Sequence, residues 1–130
     1  MARSQYLAAT AADALNAMVR ANLRYIGAER YQGRRVPLLY ESGVRYREEP
    51  WNAKGARVEE FADIPTILNR KWGDCDDLAP FRIAELRAQG EPAKVRITWK
   101  MLPGGRLFHV VVRRGNGAIE DPSRILGMGT

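Results

Sequence analysis

The sequence predicts an α+β protein, with N-terminal helices packed on a small antiparallel sheet. Three observations predict it. Residues 5–26 repeat apolar side chains at helical steps, residues 74–89 sit between helix start and stop signals, and the chain from Ala93 onward alternates in strands around glycine turns. The length of 130 residues fits one domain spanning 1–130, since domains run to roughly 100–200 residues. No internal repeat or linker divides it.

The first helix carries Leu7, Ala11, Leu15, Met18, Asn22 and Tyr25/Ile26 on one stripe, with Ser4 as a candidate cap. Gly27 and the polar run to Arg35 are expected to end it. Val36–Tyr40 reads as a short strand that Pro37 confines to an edge or loop. Ser42-Gly43 signals a turn, and Val44–Arg47 alternates as a half-exposed strand does. Glu48-Glu49-Pro50 and the stretch from Asn52 to Gly55 read as loop. Residues 58–70 predict a second helix that Pro65 bends or restarts, with Asp63 capping the fresh start. Residues 74–89 predict a third, capped by Asp74 or Gly73, carrying an early Pro80 and ending at Gly90. Ala93–Met101 and Leu107–Val112 read as strands. Arg114-Gly115-Asn116-Gly117 is a hairpin signal, Ala118–Asp121 the return strand, and Ser123–Gly129 a tail or short turn.

Composition narrows the function classes. Lys and Arg total 21 against 15 Asp and Glu, a net charge of +6, but Arg34-Arg35, Arg70-Lys71 and Arg113-Arg114 are scattered along the chain. That reads as a solvated basic surface and disfavours nucleic acid as the main partner. No apolar run reaches the ~18 residues of a membrane span, and the alanine-rich start is too interrupted by Asp13, Asn16 and Arg20 for a secretory leader. A single cysteine, Cys75, excludes an intramolecular disulfide and a Cys-rich zinc site.

The chemistry concentrates in Trp72-Gly73-Asp74-Cys75-Asp76-Asp77-Leu78-Ala79. This segment places the thiol in the first turn of a helix, where the dipole favours a thiolate, while the three aspartates oppose it. Their spacing lacks a calcium loop, so capping and solubility account for them and no metal is expected. The lone His109 lies in the strongest strand, sharing a side with Leu107, Val111 and Arg113. A hairpin centred on Gly115 sets His109 opposite Asp121, close enough for the carboxylate to orient the ring. Cys75, His109 and Asp121 thus form a candidate nucleophile, base and orienter.

Gly73-x-Cys75-x-x-x-Ala79, His109 in a strand and Asp121-Pro122 together resemble the transglutaminase-like branch of the papain-like cysteine-enzyme superfamily, over about residues 58–126. The Trp72–Ala79 segment with Glu120-Asp121-Pro122-Ser123 is similar to small members found in phage and prophage genomes. The resemblance implies a papain-like core and acyl chemistry on a protein or peptide amide through a thioester, without a cofactor. It also implies an oxyanion held by the Cys75 backbone N–H and one upstream donor. Trp51, Trp72 and Asn69 are candidates for that donor, Trp72 first, and Asp74 and Asp76 lie on the substrate side. It further implies a reducing, cytoplasmic setting or association with a virion. The alternative is a catalytically silent interaction or virion structural protein with a phage structural partner.

Overall fold

The computed structural model describes residues 3–48, 61–103 and 105–129. The expected loop over 49–55, Trp51 and the start of the 58–70 helix lie outside them. Helix α1 spans Arg3–Tyr31. A single 3-10 turn follows at Leu39–Glu41, then β1 (Arg45–Tyr46), α2 (Ile64–Arg70), β2 (Trp72–Gly73), α3 (Cys75–Ala88), β3 (Lys94–Leu102), β4 (Gly105–Arg113), β5 (Ile119–Glu120) and α4 (Pro122–Ile125). The strands form an antiparallel sheet ordered β3-β4-β5 and a separate parallel pair, β1-β2. The class is α+β, as expected.

Gly27 does not stop α1, which runs on to Tyr31 and unwinds at Gly33, a residue at φ +75. A helix interior tolerates one glycine at a cost of about 1 kcal/mol. The positive φ that ends the helix is supplied further on. The buried stripe is Ala11, Leu15, Val19, Asn22 and Ile26, with Val19 in place of Met18. The side chain of Leu7 lies outside the described residues. Leu15 and Val19 pack with Ala79, Ile83 and Leu86 of α3 and Val110 and Val112 of β4. Ile26 joins a second cluster with Leu39, Val44, Ile64, Ile67, Leu78 and Phe81. Helix α3 supplies side chains to both clusters, so it is the central element.

Four local expectations change. Val36–Tyr40 is not a strand: Pro37 has no donor, and the Leu39 amide donates to Glu85 Oε1 at 2.8 Å instead of to a ladder. Gly73, offered as an alternative helix cap, instead lies in a strand, since Trp72-Gly73 pairs in parallel with Arg45-Tyr46. The residues after Asp121 form a short helix rather than a tail, capped by the Asp121 carboxylate. The hairpin register also shifts. Val112 pairs with Glu120 and Arg113 with Ile119, so the turn centres on Asn116 and His109 is not directly opposite Asp121.

Asp63 caps α2 as expected, its Oδ1 accepting from Thr66 N at 3.1 Å with Pro65 in the first turn. Asp74 is the N-cap of α3, and its amide donates to Asp77 Oδ2 at 3.3 Å, the reciprocal half of a capping box.

Candidate active site

The turn of the chain into α3 passes close to the helix at Gly73. A Cβ on Gly73 would come within 3.1 Å of Asp77 Cβ and of Leu78 Cδ2. The backbone therefore lies against the first turn of α3, and Cys75 follows two residues later as the first helical residue. Strand β1 holds this turn. Arg45 N donates to Lys71 O at 3.0 Å and Arg47 N to Gly73 O at 2.9 Å, while Tyr46 N donates in the other direction to Leu126 O at 2.9 Å. One short strand thus ties the lead-in to Cys75 to the end of the helix that Asp121 caps. Helices α3 and α4 also pack on each other.

His109 and Asp121 meet. His109 Nε2 and Asp121 Oδ2 are 2.9 Å apart, with both side chains about a fifth to a quarter exposed. An ionised carboxylate only accepts, so Nε2–H donates and Nδ1 is the nitrogen left for other chemistry. The shifted register keeps this contact because strand parity is unchanged: extended by one step it sets Asp121 across from Val111, on the same side as His109. Asp121 Oδ1 also accepts from Arg124 N at 3.4 Å, and the Arg124 guanidinium lies 3.5 Å from Oδ2.

Cys75 is half-buried and packs at the margin of the cluster that contains Val110 and Phe108, the two neighbours of His109 in β4. By alternation His109 leaves the side of β4 away from that cluster. The structure therefore brings base and orienter together and sets the thiol at the start of α3, against the cluster on the other side of β4.

Trp72 is half-buried in β2, its ring met by two guanidinium groups, with Arg70 Cζ at 3.6 Å and Arg47 Cζ at 5.2 Å from its centroid. Asn69 is exposed on α2. The three aspartates do not serve solubility: Asp74, Asp76 and Asp77 are all buried, and one carboxylate oxygen from each lies within 4.8 Å of the others. Such a cluster has the oxygens a hard cation prefers. Asp77, however, spends its oxygens on protein donors, accepting from Ala62 N at 2.7 Å and from Arg70 Nη2 at 2.8 Å. Burial and then the Asp74 charge raise the Asp77 carboxyl to about 7.

Sequence reasoning missed a polar network on the other side of the hairpin. Glu120 accepts from Arg82 Nε at 2.7 Å, from Arg114 Nη1 at 2.7 Å and from the Tyr40 hydroxyl. Arg82 also donates to Glu85 at 2.7 Å and covers the Tyr40 ring at 4.7 Å. Burial pushes the Glu120 carboxyl up, but the bonds from Arg82, Tyr40 and Arg114 outweigh it and leave it low. This network fastens β5 to α3 and so sets where Asp121 begins. The signal was the alternation itself, which puts Glu120 and Asp121 on opposite faces.

Among the described residues no helix is long and apolar enough to cross a membrane. In comparison with known proteins, no family model, no curated protein and no solved structure matches the chain.

Proposed function

We propose that the chain is a cysteine-dependent hydrolase or acyltransferase with a transglutaminase-like, papain-like core, acting on a protein or peptide amide. The observation that carries this reading is the His109–Asp121 bond of 2.9 Å on β4, the strand against which α3, begun by Cys75, packs. The carboxylate holds Nε2, which leaves Nδ1 to take the thiol proton.

The Cys75 thiolate attacks the amide carbonyl carbon and a C–S bond forms. The C–N bond breaks, and the imidazolium gives its proton to the leaving amine. Water, or a second amine, then attacks the thioester carbon. His109 removes the proton of that nucleophile, and the thiolate departs. The backbone N–H of Cys75, in the first turn of α3, serves the oxyanion, such a donor being worth about 3–4 kcal/mol. Trp72, Asp74 and Asp76 flank the thiol in this scheme.

The direction of His109, which leaves β4 on the side away from the cluster where Cys75 packs, favours a second reading, a silent interaction or virion structural protein on the same fold. One experiment separates them. Iodoacetamide labelling of Cys75 at pH 6 is expected to be rapid and to slow in His109→Ala. Slow labelling that ignores the substitution overturns the enzymatic reading in favour of the second.

A further inference from the structure

Away from Cys75, the C-terminal ends of α1 and α3 and the segment 35–38 enclose a hollow of about 380 Å³. Ile26, Val36 and Leu38 give it apolar walls, and Arg30 and Arg35 stand at it. That volume falls within the range of small-molecule sites, which are mostly apolar with a few placed polar groups.

The two arginines are unlike those nearby. Arg34 is paired with Glu29, Arg82 with Glu85 and Glu120, and Arg114 with Glu91 and Glu120. Among the described residues Arg35 makes no side-chain hydrogen bond or ion pair, and Arg30 makes one bond, to Ala88 O at 3.2 Å. The hollow therefore offers two guanidinium groups whose donors match a carboxylate fork. Glu85 also borders it, but this carboxylate is already committed to the Leu39 amide and to Arg82. Its charge is answered inside the protein, so the hollow keeps a positive balance.

We infer that this hollow is a binding site for a small anion on an apolar body, a carboxylate with a short aliphatic or aromatic tail. The tail lies against Ile26, Val36 and Leu38, and the head meets Arg30 and Arg35. The site is independent of the thiol chemistry.

Titration calorimetry with octanoate tests it on the whole chain. Saturable one-to-one binding is expected, weakened about tenfold or more in Arg30→Gln/Arg35→Gln, as loss of hydrogen bonds to a charged head implies. Both positions are exposed, so the fold should survive, which circular dichroism checks. Ala88→Phe keeps both cations and fills the hollow, and is expected to abolish binding. Prior alkylation of Cys75 should leave binding unchanged. Octanol, with the tail but no charge, should bind far more weakly. Equal affinity for octanol, equal affinity in the double glutamine variant, or no saturable heat overturns the inference.

Discussion

The β4–β5 hairpin holds charge differently on its two faces. Toward α3, Glu120 is closed in by Arg82, Arg114 and Tyr40. On the other side Asp121, the next residue, has the His109 ring at 2.9 Å, a capping bond to Arg124 N and partial exposure. One step along an extended chain turns a carboxylate from a clamp held by three donors into the partner of a titratable ring. The first kind fixes the frame. The second can exchange protons with a substrate.

The largest expected effect falls on the closed face. Glu120→Ala leaves two guanidinium groups and a hydroxyl short of their acceptor, and losing several hydrogen bonds to a charged group costs on the order of 2 kcal/mol. Urea denaturation should read that loss, whereas His109→Ala should cost under about 1 kcal/mol because its pair is partly solvated. Similar losses in both variants would erase the distinction between the faces.

Reactivity should show the reverse order. At pH 6, His109→Ala is expected to slow Cys75 alkylation by about a hundredfold, the low end of what a positioned acid–base group contributes. Glu120→Ala, measured where it is still folded, should leave the rate near that of the unaltered protein. A rate that follows stability instead would make the imidazole a structural group.

Acid–base behaviour gives a smaller, graded test at the start of α3. The folded Asp77 carboxyl is raised to about 7 from an ordinary 3.8 by burial and by Asp74. The folded chain keeps this proton where the unfolded chain has released it. The contribution of Asp77 to stability is thus complete below 3.8 and is lost as pH rises toward about 7. Thermal midpoints should fall across that window. Asp77→Asn should flatten the fall without removing it, because burial also raises Glu85. An unchanged slope would assign the effect elsewhere.

Much of this layout was legible because local chemistry dictates it. Asp63 before Ile64-Pro65 is a cap with a preset φ, and Asp74 three residues before Asp77 closes a helix start; both stand where the pattern puts them. His109 and Asp121 were legible as a pair because only parity, not exact register, decides which side a strand residue takes. What was not legible depends on distant partners. The Leu39 amide turns to a glutamate 46 residues away, and Trp72-Gly73 becomes a strand only because Arg45-Tyr46 lies alongside. The three aspartates looked solvated because nothing local reveals that Ala62 and Arg70 close over Asp77.

The finest test separates the two tasks of Asp121, which caps α4 through Oδ1 and holds His109 through Oδ2. Asparagine caps a helix about as well as aspartate, so Asp121→Asn should change stability by under about 0.5 kcal/mol. The amide can still bond the ring but no longer carries a charge. With its NH2 turned inward it forces Nε2 to accept, which moves the ring proton to Nδ1. Alkylation of Cys75 at pH 6 should therefore slow while the melting curve stays in place. If Asp121→Asn instead unfolds the protein as readily as Glu120→Ala, both faces of the hairpin are clamps, and the open pair has no chemistry of its own.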